Sequence, residues 1–267
     1  MMDPARTALF IPSNLARFKL ALFERIGADI KKRGGRVIRG DVAELTALPN
    51  EIIPIVGCMP ELTSLILKWK AEKRSRLQWD RGYVRRVFAT WLPRAASLES
   101  SFYRWHVDNF QLREIRPFPS DRWDRLNIAV TPWQKGGRHI VVAAPTPTYQ
   151  KFHAIEGWFE NTLRQLGALT DRQIVVRFKD SKRPLQEDLK GAHCVVANGT
   201  IAAVEAAILG CPVFDNRESA AALVGLTDIK KIENPIYPDR QPWLNALAYS
   251  QYDETEMANG AMWKMIS

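Results

Sequence analysis

Between residues 139 and 214 the chain carries short strand-like runs that do not alternate: HIVVAA (139–144), QIVVRF (173–178), CVVA (194–197) and PVF (212–214). A strand with one wet face alternates apolar and polar residues. A run that is apolar throughout is buried on both faces, which requires helices on either side of a parallel sheet. The intervening segments supply them. Ile155, Phe159, Leu163 and Leu166 predict a helix over 152–167, a shorter one follows over 184–190, and an alanine-rich one over 201–209. Strand and helix in alternation specify an α/β fold.

The first half repeats the alternation. Thr7 to Ile11 reads as a strand ending at Pro12-Ser13, and Asn14 can cap a helix that carries Leu15, Phe18, Leu20, Leu22, Phe23 and Ile26 on one face and runs to Lys32. Gly34-Gly35 end it. Strands follow at 36–38 and 52–58, a helix opens at Pro60 with Leu62, Leu65, Ile66 and Trp69 inward, and 77–79 runs into the turn Asp80-Arg81-Gly82. Residues 117–138 hold three prolines and a Gly-Gly pair, the composition of a boundary. The expected architecture is two Rossmann-like domains, 1–135 and 136–267, the second ending in helices at 239–249 and 253–265.

Charge separates the halves. The chain carries a net +9; residues 68–125 alone carry +7, and residues 126–267 carry zero. The same basic stretch holds five of the nine tryptophans: Trp69, Trp79, Trp91, Trp105 and Trp123. Arginine pairs with phosphate and aromatic faces stack on bases, so this is a nucleic-acid footprint. The competing reading makes the tryptophans core and the arginines a solvated rim. No apolar run approaches the roughly 20 residues of a membrane span. The N-terminus lacks the apolar stretch of a signal peptide. A soluble cytoplasmic protein is expected. Cys58, Cys194 and Cys211 lie far apart in apolar settings and read as buried inert thiols; with four scattered histidines, no metal centre is expected.

The segment 192–214 carries the chemistry. A buried strand ends at Asn198-Gly199, where glycine permits positive φ and close approach of a ligand. Thr200 can cap the following helix, whose free amides form an anion site at the C-terminal end of a parallel strand. Glu205 interrupts an otherwise apolar helix, and a carboxylate there needs a partner, for which a ribose diol is suited. The alternative is a glutamate on an exposed helix face.

Asn198-Gly199-Thr200, then Glu205, then Gly210-Cys211-Pro212-Val213-Phe214 resemble the C-terminal donor-nucleotide segment of GT-B glycosyltransferases and their relatives. The resemblance covers 139–215. It implies that the small-residue turn meets a donor diphosphate, that Glu205 holds the ribose, and that Thr146 and Thr148 stand in the first loop of the donor domain. Arg177 and Lys179 resemble the strand-end basic residue that meets phosphate in capsule-type and teichoic-acid-type members. Residues 77–86 and 102–110 resemble, more loosely, stretches of phage-encoded glycosyltransferase-like proteins, which would place the protein in the cytoplasm of a host cell.

The implied function is sugar transfer from a nucleotide-diphosphate sugar, used as donor substrate with no bound cofactor. The general base would come from the first half: Asp80 first, then Asp108 and His106. For Asp80 the alternative is a turn residue bonded to its own backbone. DNA, with modified bases, is the expected acceptor, held by Arg81, Tyr83, Arg85, Arg86, Arg104 and Trp105. Two alternatives stay open. One is the same chemistry on a polysaccharide or small molecule. The other is a non-catalytic GT-B-like scaffold that binds nucleic acid or protein, which the absence of a Gly-rich loop after the first strand favours. The sequence leaves the oligomeric state open.

Overall fold

The computed structural model describes residues 2–14, 17–85 and 101–266. Its strands are β1 (Thr7–Ile11), β2 (Arg36–Arg39), β3 (Ile53–Gly57), β4 (Leu77–Arg81), β5 (Tyr103–Val107), β6 (His139–Ala143), β7 (Gln173–Arg177), β8 (Ala192–Val196), β9 (Val213–Phe214) and β10 (Gln251–Tyr252). They form two sheets, in the orders β10-β5-β4-β3-β1-β2 and β7-β6-β8-β9. Each sheet belongs to its own compact unit. Among the described residues the first unit comprises 2–14, 17–85, 101–111 and 249–266, and the second comprises 112–248. Both are Rossmann-like α/β units, as the alternation of strand and helix predicts.

In the first sheet β2, β1, β3 and β4 are parallel, while β5 and β10 pair antiparallel at one edge. The antiparallel edge explains a difference from expectation: the chain after 248 belongs to the first unit. Tyr252 pairs with Tyr103, and Trp263 Nε1 donates to Asp29 Oδ2 at 2.9 Å on the helix Arg17–Lys32. Arg25 and Glu254 form an ion pair at 3.0 Å, and Asp253 with Glu256 makes a capping box at the head of the helix Glu254–Ala258. The helix expected at 239–249 is observed as Gln241–Tyr249 and ends the second unit, whereas Glu254–Ala258 and the residues after it complete the first.

On one face of the first sheet Phe23 packs 4.3 Å from Trp79 and 6.5 Å from Trp105, and Trp263 meets Trp105 edge-on at 6.3 Å. Trp69 and Trp123 are also buried, and Trp91 lies outside the described residues. For these four the core reading of the basic stretch holds. Each buried ring removes about 150–250 Å² from water, which makes Trp69, Trp79 and Trp105 chief contributors to this core, while Trp123 is buried in the second unit.

The second sheet is parallel throughout. Its apolar core joins Ile140, Val142, Leu166, Cys194, Val196 and Phe214. The helix expected over 152–167 is two helices, Pro147–His153 and Trp158–Leu169, because Ala154 (φ 52°) and Gly157 (φ 78°) turn left-handed between them. Cys194 and Cys211 are buried, and burial pushes the Cys211 thiol up to about 12. Cys58, expected to be buried, is exposed at the end of β3, where the strand has left the sheet. No helix of the described residues is long and apolar enough to cross a membrane, and none of their side chains cluster as a metal site.

Candidate functional site

In the second sheet the chain leaves β6 for β7 on one side and later returns to β8 on the other. The loops after β6 and β8 therefore diverge, and open parallel sheets bind ligands in the crevice this creates. After β6, Thr146 caps the helix Pro147–His153 by accepting the Tyr149 amide at 3.2 Å, and Thr148 is exposed on its first turn. After β8 comes the turn Asn198-Gly199-Thr200.

Gly199 has φ +70°, and a Cβ on it would lie 2.0 Å from Tyr149 Oη. The position excludes a side chain on both counts. The Tyr149 ring stacks on His153 with centroids 4.1 Å apart. Asn198 is buried and accepts from Asn216 Nδ2. Thr200 occupies the N-cap position of the helix Ile201–Ile208 without a side-chain capping bond, contrary to expectation. Its Oγ1 is enclosed and has no hydrogen-bond partner.

Glu205 is 1% exposed, on a helix whose residues from Ala203 to Ile208 are all buried. The exposed-face reading of this glutamate is excluded, since the helix has no solvent face there. The far end of the helix is clamped by Arg240, which donates to the carbonyls of Ala207, Ile208 and Thr131. A cation at a helix C-terminus also complements the dipole.

The expected phosphate cations fall on different sides of the surface. Arg177 is buried and paired with Asp188, which Arg183 also reaches. Its guanidinium already has its anion, so the role expected of it does not hold in this arrangement. Lys179, two residues on, is exposed. Sequence reasoning missed the acid beside the turn. Asp215, directly after β9, accepts the Gly199 amide at 2.6 Å and the Asn216 amide at 2.8 Å on one oxygen. Burial pushes its carboxyl up to about 6, against the lowering effect of the Gly199 amide, the Ser219 side chain and the Asn216 amide. A polar residue closing an apolar strand of a parallel sheet was the signal available.

In the first unit β4 and β5 set Gln78 beside His106 and Asp80 beside Arg104 on one sheet face. Asp80 closes the C-terminal end of β4, with its side chain 39% exposed; its carboxylate accepts Arg104 at 2.5 Å and the Arg81 amide at 2.7 Å. His106 is half-buried and bonded to Tyr83 Oη at 2.9 Å; burial, with Arg104 adding to it, pushes the imidazole down to about 3. It is neutral at ordinary pH. Asp108 lies at the other end of the strands. It accepts the Arg76 amide at 2.8 Å and Ser75 Oγ at 3.2 Å beside the start of β4. Ligands approach a parallel sheet at its C-terminal ends, so Asp108 is a backbone clamp and not a base.

The nucleic-acid footprint also changes. Tyr83 and Trp105 are buried and cannot stack on bases; Trp105 Nε1 donates to Met257 Sδ. Arg104 is buried and donates to the Phe110 and Arg81 carbonyls at 2.6 and 2.5 Å. Arg81 is exposed and Arg85 half-buried, while Arg86 lies outside the described residues.

No family model matches the chain, and no curated protein matches it. Among solved structures it is similar to KpsC of Thermosulfurimonas dismutans, a beta Kdo 2,7 transferase. That likeness has a TM-score of 0.51 at 12% identity and covers 97% of this chain and 98% of that one. At such identity the likeness establishes the fold alone. A LacI family transcriptional regulator from Bifidobacterium animalis subsp. lactis aligns over 80% of this chain and 78% of its own at 11% identity, with a TM-score of 0.26 that carries no argument.

Proposed function

We propose that the protein is a glycosyltransferase whose second unit binds a nucleotide-sugar donor. The observation that carries this reading is the turn Asn198-Gly199-Thr200 at the switch point of the second sheet, heading a helix with Glu205 buried in its second turn. In this reading the donor phosphates meet the turn, Lys179 adds charge, Thr146 and Thr148 line the neighbouring loop, and Glu205 takes the ribose hydroxyls. Asp80 stands as the candidate base, at the C-terminal end of β4 where an acceptor hydroxyl would enter the first unit.

For the acceptor, a carbohydrate is favoured over DNA. The arginine and aromatics at 83, 104 and 105 are internal, and the named reaction of KpsC is a Kdo transfer. A DNA acceptor would rest on Arg81 and Arg85 among the described residues named for it.

The test is a panel of labelled nucleotide sugars, incubated with saccharide acceptors and with DNA carrying hydroxymethylated bases. Transfer to a saccharide supports the reading. Transfer only to DNA reverses the acceptor assignment, and no transfer combined with no nucleotide binding by calorimetry removes the enzyme. Glu205→Gln should keep the fold and weaken nucleotide binding by about 10- to 100-fold, the equivalent of about 1.5–3 kcal/mol for hydrogen bonds to a charged group. Equal binding by this variant and the parent would displace the ribose from Glu205.

A further inference from the structure

The Gly199 amide, which the donor-site reading assigns to a phosphate, already has an anion. Asp215 Oδ1 accepts it at 2.6 Å and accepts the Asn216 amide at 2.8 Å. The carboxyl is buried. Its surroundings are burial, these two amides and the Ser219 side chain, with no ion pair among them. A phosphate arriving at the head of the helix Ile201–Ile208 would bring its charge against this buried carboxylate. Like charges sharing a desolvated site do not both persist; one is neutralised by a proton.

We propose that Asp215 makes anion binding at the 198–200 turn proton-coupled. When a phosphate docks there the carboxyl takes up one proton from solvent, and the site loses affinity for the anion as the carboxyl ionises. The protonated acid still has a carbonyl oxygen to hold the Gly199 and Asn216 amides, so the turn keeps its shape while its charge falls by one. Titratable and charged side chains on the elements around it are Tyr149 and His153 on the helix Pro147–His153, Glu205 on the helix Ile201–Ile208, and Arg217 and Glu218 in its own loop. The Asp215 carboxyl itself holds the Gly199 amide that the incoming anion would meet, which makes it the group that responds to the incoming charge. Its upward displacement to about 6 places the response within the physiological range.

This inference rests on the donor-site reading, and one experiment separates the two. Calorimetric titration with UDP, GDP, ADP and CDP would be run from pH 6 to 8, in two buffers of different ionisation enthalpy. The expected result is uptake of close to one proton per bound nucleotide near pH 7, with affinity falling about tenfold per pH unit above 6 relative to Asp215→Asn. The Asp215→Asn variant should bind without proton uptake. Ser219→Ala, which removes a bond that favours the ionised acid, should shift the decline to higher pH. Nucleotide binding with no proton uptake, or with the same pH profile in wild type and Asp215→Asn, overturns the coupling and leaves the donor site standing. Absence of binding by every nucleotide at pH 6 overturns both. Should the Asn variant not fold, the displacement of the decline in Ser219→Ala decides, since the ligand's own terminal phosphate, which also titrates at about pH 6, is common to both proteins and no displacement overturns the coupling.

Discussion

The two units place their buried polar residues differently. In the first unit they act as internal clamps. Arg76 and Arg104 bind backbone carbonyls, and Gln251 Oε1 accepts the amides of Tyr83 and Val84. The second unit has such clamps too, in Arg240 and the Arg177–Asp188 pair, but a separate group, Asn198, Asp215 and Ser219, lies at the C-terminal ends of two adjacent parallel strands, around the turn after β8 and the loop after β9. The first arrangement ties an antiparallel edge to its surroundings, and removal of a member is a stability event. The second surrounds a glycine turn at the strand ends where open parallel sheets take ligands, and on the proposed donor-site reading removal of a member is a binding event. Net charge misleads about this difference. The count registers a buried arginine that clamps carbonyls, such as Arg104, just as it registers an exposed one, so a structural clamp resembles a phosphate-binding patch.

Arg104→Ala gives the sharpest test of that distinction. It leaves two carbonyls and the Asp80 carboxylate without their buried partner, and should destabilise the protein by about 3–5 kcal/mol in denaturant unfolding. A change below about 0.5 kcal/mol, the size ordinary surface substitutions give, would return Arg104 to the footprint reading.

Gly199→Ala comes next. The left-handed backbone and the contact with Tyr149 Oη both oppose a methyl group, for a loss of roughly 2–4 kcal/mol together with nucleotide binding. Adding Tyr149→Phe should restore part of the stability, since it removes the nearest atom and leaves the φ cost. Full stability in the single variant would mean that the turn is loose.

The units should also answer pH in opposite directions. His106 lies below its ordinary value, so the unfolded chain binds the extra proton and stability falls as pH drops from about 6.5 towards 3. Asp215 lies above its ordinary value, so the folded state holds the extra proton and stability falls as pH rises from about 4 to 6. Each unit of pKa displacement corresponds to about 1.4 kcal/mol, which sets an upper bound near 3 kcal/mol for Asp215. Thermal melting across pH should therefore show His106→Gln flattening the acid limb and Asp215→Asn raising stability at pH 7 and above. Parallel shifts of the whole curve in both variants would remove the contrast.

How much of this was legible in the sequence follows the same division. The runs at 139–144 and 194–197 fixed the second sheet because a doubly buried strand has no alternative face, while the equally apolar run at 173–178 is its half-buried edge strand. Asn198-Gly199 marked the turn because only glycine satisfies its geometry. The tail was misplaced because two-residue strands such as β10 carry no periodicity, and its pairing with β5 is a long-range contact that local pattern does not encode. Arg177 and Arg104 were misread for one reason. A guanidinium's partner, whether carboxylate, carbonyl or ligand phosphate, lies in another segment of the chain, as Asp188 lies eleven residues from Arg177.

The smallest expected effect tests whether the second unit's surface has a cation left for the ligand. Lys179 is exposed, and Arg177 and Arg183 both face Asp188. If a diphosphate docks at the 198–200 turn, a helix dipole of about half a charge leaves most of its charge uncompensated. A lysine at the surface contributes roughly 0.5–1 kcal/mol towards it, screened by salt. Lys179→Ala should then weaken a nucleoside diphosphate by about three- to fivefold at low salt, less at 0.5 M salt, and leave the bare nucleoside unchanged. An equal loss for nucleoside and diphosphate would mean that Lys179 supports the loop and not the phosphate. No loss for either would move the compensating charge elsewhere, with Lys182, exposed on the same loop, the next side chain to replace.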